Sequence, residues 1–402
     1  MSEYKCIPLG ENVEEMFIGP FGSSLKNECF VDENEAYCMV YEQKHAIHKT
    51  MNVETRYVNE QKYNELKRFS VHGGDIIISC RGTIGETFIV PDDAPLGIMH
   101  PSIMKIRLKD GVYDKYYFNL LLKSRLKKHE AEANGSGIKM AISATELGKE
   151  LFPVPMMEEQ QKIAHIIYQI CLVIEKRKQE LLSLDNLVKA RFVEMFGDPI
   201  INSFGWKIVN ISEVVGGKVS NGFFSKRDDY CDDGNVSVLG VANIVNRMYS
   251  KVDELPKTNA DLKDIEKYEV KYGDMLFCRS SLVAEGIGKA SIVPEGVHDR
   301  VLFECHVIRL PLDLDKCVPE FMQTLSTMDF FRNQVIAQSK TATMTTIGQD
   351  GILKSNIILP PIEKQREFYD FIKQVDKSKV AVQKALDETQ LLFDSLMQKY
   401  FG

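Results

Sequence analysis

Two polar stretches, one in each half of the sequence, carry groups that could contact the phosphates and base edges of a nucleic acid. Residues 19–26 read GPFGSSLK, and residues 220–229 read SNGFFSKRDD. Lysine and arginine neutralise phosphates, and hydroxyl, amide and guanidinium groups read base edges. The positions that supply such groups here, with the glycine beside them, are Gly22, Ser23, Ser24, Lys26, Asn221, Ser225, Lys226 and Arg227.

Four further cations recur in the two halves. Arg81 and Arg279 lie at the ends of apolar runs that we predict to be strands, at positions that correspond in the two halves. Lys139 and Lys340 lie in loops before two long helices. Each cation taken alone is equally well explained as a solvated side chain or as a partner in a structural ion pair. As a set, the twelve positions predict a nucleic-acid-contacting surface in each half.

The motifs of common catalytic sites are missing from the sequence. Gly286–Ala290 has neither the spacing nor the hydroxyl of a phosphate-binding loop, and no Gly-x-Ser-x-Gly elbow occurs. No (Asn/Asp)-Pro-Pro-aromatic motif is present to hold a target nitrogen for methyl transfer. His45 and His48 lack a nearby third ligand. The chain is therefore predicted to bind rather than catalyse, with no catalytic residue, metal site or cofactor of its own.

Length and composition are those of an ordinary globular protein. With 402 residues, 44% hydrophobic and 27% charged, the chain is long enough for two domains. Nine cysteines without a CxxC pair predict reduced thiols. The net charge of −7 excludes a surface that is basic throughout but allows local basic loops. Neither a signal peptide nor a membrane-spanning run is present, so we expect a soluble cytoplasmic protein.

The sequence is duplicated. FPVPMMEEQQKI at 152–163 matches IILPPIEKQREF at 357–368, and the same shift of 205 places Phe196-Gly197 on Phe401-Gly402. Upstream, Gly74-Asp75 matches Gly273-Asp274. Short apolar runs bounded by Gly, Pro and Asp predict strands in both halves. Each half therefore reads as a β-rich block, a shorter helix, a polar loop and a long terminal helix.

The two long helices carry apolar residues that alternate at spacings of four and three. This 3.5-residue period is typical of a coiled-coil seam, and the two registers correspond, so the simplest arrangement packs the helices on each other. The predicted seam consists of Ile163, Ile167, Ile170, Ile174, Leu181, Leu184, Val188, Phe368, Ile372, Val375, Val382, Leu386, Phe393 and Leu396.

These features together resemble the specificity subunits of type I restriction-modification enzymes. The likeness rests on two variable halves, each followed by a helix that opens Pro-x-x-Glu-x-Gln and closes on Phe-Gly, and on GPFGSSLK, GGDIIISCRGTIG and RFVEMFGDP. It covers essentially the whole chain, although SNGFFSKRDD and RSSLVAEGIG depart from the pattern in the second half.

The resemblance implies an α+β architecture of two pseudo-repeated α/β target recognition domains, separated by two long antiparallel coiled-coil helices. The expected divisions are residues 1–154 and 200–359 for the recognition domains, and 155–199 and 360–402 for the conserved helices. Each domain would read one half of a bipartite DNA site. The helix pair would set the spacer between the half-sites.

The resemblance also implies partners. These are double-stranded DNA, two methyltransferase subunits that dock on the helix pair, and restriction subunits. S-adenosylmethionine, ATP and Mg would be used by those partners. Two alternatives stay open from the sequence: a coiled-coil protein–protein scaffold without DNA specificity, and a fused type II-like methyltransferase or nuclease specificity protein.

Overall fold

The computed structural model describes residues 4–81, 83–134 and 143–402. By its contacts the chain forms two compact units. The first unit is Met1–Lys176 with Leu386–Gly402, and the second is Arg177–Ala385. Both units mix helices and strands, and each contains one globular half together with parts of both long helices.

Ten strands and five α-helices are described up to the end of the first long helix. The strands are Cys6–Pro8 (β1), Val13–Ile18 (β2), Cys38–Tyr41 (β3), Tyr57–Val58 (β4), Ser70–Val71 (β5), Ile76–Ser79 (β6), Thr87–Ile89 (β7), Gly97–Met99 (β8), Ile103–Leu108 (β9) and Leu151–Pro153 (β10). The helices are Gln43–His48 (α1), Glu60–Glu65 (α2), Lys115–Asn134 (α3), Ala144–Lys149 (α4) and Met157–Phe196 (α5).

The first half is built from two four-stranded sheets. One is antiparallel with the order β2-β9-β6-β7, and the other has the order β4-β3-β8-β5 with β3 and β8 parallel. Strand β6 is buried on both faces. Ile76 and Ile78 pack with Phe118 of α3, while Ile77 packs with Tyr41 of the other sheet, because successive side chains of a strand point to opposite faces.

Twelve strands and six α-helices are described in the remainder. The strands are Lys207–Asn210 (β11), Ser220–Asn221 (β12), Val236–Leu239 (β13), Lys257–Thr258 (β14), Asp274–Cys278 (β15), Ser280–Ser281 (β16), Ala290–Ile292 (β17), Val301–Phe303 (β18), Val307–Pro311 (β19), Lys340–Thr341 (β20), Thr345–Thr346 (β21) and Asn356–Leu359 (β22). The helices are Val241–Ile244 (α6), Leu262–Tyr268 (α7), Pro319–Ser326 (α8), Asp329–Ala337 (α9), Gln349–Leu353 (α10) and Ile362–Phe401 (α11).

The second half repeats the strand order of the first. The sheet β12-β19-β15-β17 corresponds to β2-β9-β6-β7, and β14-β13-β18 corresponds to β4-β3-β8, again with the equivalent pair β13 and β18 parallel. A small three-stranded sheet, β16-β21-β20, is an addition in the described part of the second half. The internal repeat seen in the sequence is therefore a repeat of topology.

The repeated Gly-Asp pair is a turn that starts the central strand of each half. Gly74 and Gly273 have φ of +85° and +84°, a region that glycine enters without strain. The carboxylate of Asp75 accepts the backbone N–H of residue 72 at 2.8 Å, and that of Asp274 accepts the N–H of residue 271 at 2.9 Å. The motif is structural, because both of its residues are used by the turn.

The glutamine of the repeated Pro-x-x-Glu-x-Gln motif attaches the start of each long helix to a neighbouring loop by hydrogen bonds. Gln160 is fully buried; its amide N–H groups donate to the carbonyls of Pro155 at 2.9 Å and residue 112 at 3.0 Å, and its oxygen accepts the N–H of residue 114. Gln365 repeats these bonds with Pro360 and residues 316 and 318. The glutamine therefore joins the helix to the loop before α3 or α8.

The far ends of the long helices are buried in the same way in each unit. In the first unit Phe401 packs against Tyr117, with ring centroids 5.4 Å apart, and in the second unit Phe196 packs against Phe321 at 5.0 Å. Among the described residues, no helix is both long and apolar enough to cross a membrane.

Within the second unit, segments of α5 and α11 contact each other in opposite chain order. Asp185 pairs with Lys379 at 2.6 Å, and nearer the end of α5 the Phe192 ring lies 5.5 Å from that of Phe368, near the start of α11. In the first unit, Ile163 and Ile167 of α5 share a core cluster with the end of α11.

Candidate nucleic-acid interface

One edge of the first half gathers several loops that the sequence singled out. Strands β2 and β6 end at this edge and β9 begins there, because β9 is antiparallel to both. The edge therefore carries the loop after Ile18, Arg81 after β6, and residues 100–102 before β9. Gly22, Ser23 and Arg81 are exposed at this edge.

A glycine without room for a side chain holds the loop against the sheet. The N–H of Gly19 donates to the carbonyl of Ile103 at 2.9 Å. A Cβ at this position would lie 2.3 Å from the carbonyl oxygen of His100, well inside van der Waals contact. Only glycine fits at this position without movement of the backbone. The loop that follows is therefore anchored at its start.

The rest of the loop presents its backbone and small side chains to solvent. Gly22–Ser24 form a 3₁₀ turn in which Ser24 donates its N–H to the carbonyl of Phe21 at 2.8 Å. Leu25 is buried and fixes the end of the turn in a core cluster. Lys26 is exposed, and its ammonium lies 3.9 Å from Glu28, so this cation is only weakly paired.

Phe21 is 87% exposed at the tip of this anchored loop. The sequence analysis did not select it, because the candidates there were chosen as polar groups and glycine. A single exposed aromatic is ordinary on protein surfaces. A useful signal would have been the second copy of the loop, where an aromatic follows the glycine at the same distance.

The second half repeats this arrangement. The N–H of Gly222 donates to Val307 at 3.1 Å, and a Cβ there would lie 2.1 Å from the carbonyl oxygen of Glu304. Val307 and Glu304 occupy the places of Ile103 and His100. Phe224, two residues after the glycine, is 69% exposed. Gly19 and Phe21 therefore have structural counterparts in Gly222 and Phe224, although the sequences around them differ.

The predicted polar residues of the second half lie around this loop. Asn221 is half-buried with its side-chain amide 3.2 Å from that of Gln349, and the Ser225 hydroxyl lies 3.1 Å from that of Thr258. Lys226 is exposed. The side chain of Arg227 lies outside the described residues, as does the whole of Lys139 in the first half.

The structure corrects the correspondence between Arg81 and Arg279. The backbone N–H of Arg279 donates to residue 306, as that of Cys80 donates to residue 102, so Arg279 occupies the place of Cys80. A shift of one residue along a strand reverses the side-chain direction. Arg81 is exposed, whereas Arg279 is half-buried and donates to the carbonyl of Cys305 at 3.1 Å. Lys340 is exposed in the small sheet that begins just after Arg279.

Buried ionisable groups lie behind the loop of the first half. Burial opposes ionisation of Glu42, but hydrogen bonds from Arg56 and Lys44 outweigh it and lower the pKa of the carboxyl. Burial lowers the pKa of His45 and of His100, so both imidazoles are largely neutral at pH 7. His45 uses its Nδ1 to accept the backbone N–H of Glu42 at 3.0 Å. No group of three or more metal-binding side chains occurs within residues 4–81, 83–134 and 143–402.

The predicted seam residues of the long helices differ in burial. Seven are buried and seven are half-buried. The buried ones are Ile163, Ile167, Ile174, Val188, Phe368, Ile372 and Val375, and the half-buried ones are Ile170, Leu181, Leu184, Val382, Leu386, Phe393 and Leu396. The sequence analysis missed Phe192, which is fully buried between α8 and α11.

A family model for the type I restriction modification DNA specificity domain matches this chain twice, at residues 12–184 and 204–389. The chain is 22% identical over 330 residues to the type I restriction enzyme MjaVIII specificity subunit of Methanocaldococcus jannaschii, a match that covers 77% of this chain and 74% of that protein. It is 20% identical over 361 residues to the type I restriction enzyme EcoBI specificity subunit of Escherichia coli, covering 82% and 73% respectively.

Two solved structures share the fold. One belongs to a study of the complex assembly and conformational transition of the type I R-M system, with a TM-score of 0.56, 15% identity, and coverage of 100% of this chain and 98% of that chain. The other is the S subunit of a type I restriction-modification system from M. genitalium, with a TM-score of 0.54, 12% identity, and coverage of 100% and 97%.

Proposed function

Because the chain belongs to the type I restriction-modification DNA specificity family, we propose that the anchored loop edge of each half reads one half of a bipartite DNA site. As a member of this family the chain is a DNA sequence-recognition subunit and is not itself an enzyme; partner subunits carry out catalysis.

The observation that carries the proposal is that the same edge is built twice. In both halves a glycine lies so close to a backbone carbonyl that a side chain does not fit. An exposed phenylalanine follows two residues later. A loop that is already held in place loses little conformational entropy when it binds its target, and this favours specific contacts. Two equivalent edges on one chain suit a target that has two parts.

The residues around each phenylalanine supply the polar contacts. In the first half these are Gly22, Ser23, Ser24, Lys26 and Arg81, and in the second half they are Asn221, Ser225, Lys226, Arg227, Arg279 and Lys340. Lys139 joins the first set by analogy with Lys340. Phe21 and Phe224 would pack against thymine methyl groups or unstacked bases, which accept apolar and aromatic side chains.

The long helices supply the spacer. We propose that α5 and α11 form one antiparallel coiled-coil pair along the predicted seam, between recognition domains at 1–154 and 200–359. A helix of 40 residues is about 60 Å long at ~1.5 Å per residue. Half-sites on one face of DNA lie ~34–36 Å apart, so the pair is long enough to hold two readers at that separation.

The partners follow from the same assignment. We propose that two methyltransferase subunits dock on the helix pair and that restriction subunits complete the nuclease in the cytoplasm. S-adenosylmethionine, ATP and Mg would serve those subunits.

Mapping methylated adenines in cells with and without this chain tests the proposal. The expected result is a split sequence motif whose methylation disappears when the chain is removed. Inserting one heptad in both α5 and α11 should lengthen the spacer and leave the half-sites unchanged. No loss of methylation would favour a protein–protein scaffold, and methylation or cleavage of DNA by the purified chain alone would favour a fused enzyme.

A further inference from the structure

The second unit contains a cationic cavity whose lining includes none of the candidate loop residues named above. Its volume is about 330 Å³, and its wall is formed by α5, α8, α9, α11, the loop after α6 and the start of β17 with the residue before it. Five cations line it, namely Lys189, Arg247, Lys289, Arg332 and Lys379, and Asp185 is the only carboxylate among its described lining residues. The cavity is strongly basic on a chain whose net charge is −7.

Asp185 balances only one of the five cations. Its carboxylate pairs with the ammonium of Lys379 at 2.6 Å. Lys289 donates to the side-chain oxygen of Asn246 at 2.7 Å, a neutral partner. Within residues 4–81, 83–134 and 143–402, no carboxylate forms an ion pair with Lys189, Arg247, Lys289 or Arg332. Lys189 and Arg247 are exposed, and Lys289 and Arg332 are half-buried. The four like charges line one space, and such a concentration of positive charge attracts an anion.

Arg332 carries the clearest sign of a missing partner. One of its terminal nitrogens donates to the carbonyl of Glu285 at 3.0 Å. The other, Nη1, is buried and has no hydrogen-bond acceptor among the described residues. A buried guanidinium donor without an acceptor is unfavourable, because its hydration has been lost and not replaced. Burial also lowers the pKa of Arg332, because desolvation disfavours its charge.

The first half shows that the fold does not require this charge. Lys289 immediately precedes β17, and Glu86 immediately precedes the equivalent strand β7. The backbone carbonyls of both residues accept a bond of 2.8 Å from the neighbouring central strand, which establishes the equivalence. Glu86 pairs with Lys49 at 3.3 Å, so this part of the first half is balanced. The second half has a lysine where the first half has a carboxylate, so the shared fold does not require a positive charge at this place.

We propose that this cavity binds a phosphate group through Lys189, Arg247, Lys289 and Arg332. Arginine and lysine are the usual ligands of phosphate, and a guanidinium with an unused N–H bonds to it through a charge-assisted hydrogen bond. The phosphate belongs either to the DNA backbone or to a free phosphate or nucleotide. In the first case the inference rests on the function proposed above, and in the second it is independent of it.

Isothermal titration of the full chain with inorganic phosphate, at constant ionic strength, tests the binding directly. Lys289→Glu gives the cavity the carboxylate of the first half and should weaken phosphate binding about tenfold or more, because a charge-assisted hydrogen bond becomes a repulsion. Lys189→Ala, on an exposed helix position, should weaken it less. Lys263→Glu, an equal charge reversal on exposed α7 outside the cavity, should bind as the unchanged chain does.

A duplex without the target sequence distinguishes the two sources of phosphate. If the cavity holds a DNA phosphate, Lys289→Glu lowers the slope of log affinity against log salt by about 1 relative to Lys263→Glu. If phosphate binds and that slope is unchanged, the ligand is a free phosphate or nucleotide.

The inference is overturned if the unchanged chain does not bind phosphate, or if Lys289→Glu and Lys263→Glu bind it equally. It is also overturned if phosphate fails to bind while Lys289→Glu weakens methyltransferase assembly, because the cavity then receives an acidic protein segment. Since calorimetry needs neither DNA nor partner subunits, its result is separate from the methylation test of the proposed function.

Discussion

Asp75 in the first half and Asp274 in the second begin equivalent strands but have different ionic surroundings. The Asp75 carboxylate receives two hydrogen bonds of 2.7 Å from Arg107 and lies 4.0 Å from Lys105. Among the described residues, the cation that forms an ion pair with Asp274 is Arg309, at 4.0 Å, and burial raises the pKa of the carboxyl. The same turn can therefore be kept with a well-paired or a poorly paired carboxylate, so the turn does not depend on the ion pair.

A similar contrast appears on the equivalent helices α3 and α8. Tyr116 is 62% exposed on α3, whereas the residue at its place on α8, Glu320, is fully buried. The Glu320 carboxyl accepts a hydrogen bond from Tyr249 at 3.1 Å, and its other oxygen has no partner among the described residues. Likewise, Lys289 of the second half takes the place of Glu86. The halves therefore place charge differently on a shared strand order, to which the second half adds the small sheet β16-β21-β20.

The largest expected difference is in stability. Asp75→Asn breaks a buried ion pair and should destabilise the first unit by about 3 kcal/mol. Asp274→Asn should cost less than about 1 kcal/mol, because the aspartate it replaces is poorly paired and the amide oxygen can still accept the N–H of residue 271. Hydrogen exchange of β6 and β15 reports each unit separately. Equal losses in the two units would contradict the comparison.

The pH dependence of stability should also differ between the units. Burial raises the pKa of Glu320 from 4.5 to about 7. The folded chain therefore holds this proton more tightly than the unfolded chain, so the stability that this carboxyl contributes to the second unit is fully present below pH 4.5 and falls by up to about 3 kcal/mol as pH rises to 7. Glu320→Gln should flatten this part of the profile, and the exposed Glu363→Gln serves as its control. An unchanged slope in Glu320→Gln would exclude this carboxyl as the cause.

Replacing the anchoring glycines should affect both halves alike. A Cβ at Gly19 or Gly222 would lie 2.3 or 2.1 Å from a carbonyl oxygen, so alanine must displace the loop. We expect each substitution to reduce methylation at the bipartite site about a hundredfold, equivalent to about 2.7 kcal/mol. Gly348→Ala, where a Cβ meets nothing within 4 Å, is the steric control. Tolerance at only one glycine would break the equivalence of the two edges.

The exposed phenylalanines should give the smallest effect. Phe21→Ala and Phe224→Ala should each weaken binding to the bipartite site about tenfold in the presence of methyltransferase subunits, because each removes one aromatic contact with a base. Leu262→Ala, which removes a side chain that is 79% exposed on α7, should leave affinity unchanged. Affinity equal to that of the unchanged chain in both phenylalanine variants would show that the aromatics do not reach DNA.

Part of the fold could be predicted from the sequence because its signals are local. The seam period indicated two long helices, and the structure has 40-residue helices at Met157–Phe196 and Ile362–Phe401. The repeated glutamine and Gly-Asp motifs could be matched between the halves from the sequence. That the glutamine attaches the helix start to a loop and that Gly-Asp forms a turn could be seen only from their hydrogen bonds. The polar loops meet at one sheet edge because of the order of the strands, and the spacing of apolar residues along the sequence does not reveal that order.

The sequence by itself determined that the chain is a duplicated mixed α/β protein with two long helices, and its motifs were enough to recognise the family. Those features depend on residue spacing along the chain. Tertiary structure alone decided that Arg279 takes the place of Cys80, that Phe21 and Phe224 are exposed, and that five cations line one cavity. Each of these depends on which strands are neighbours, and strand pairing is set by contacts between residues far apart in sequence.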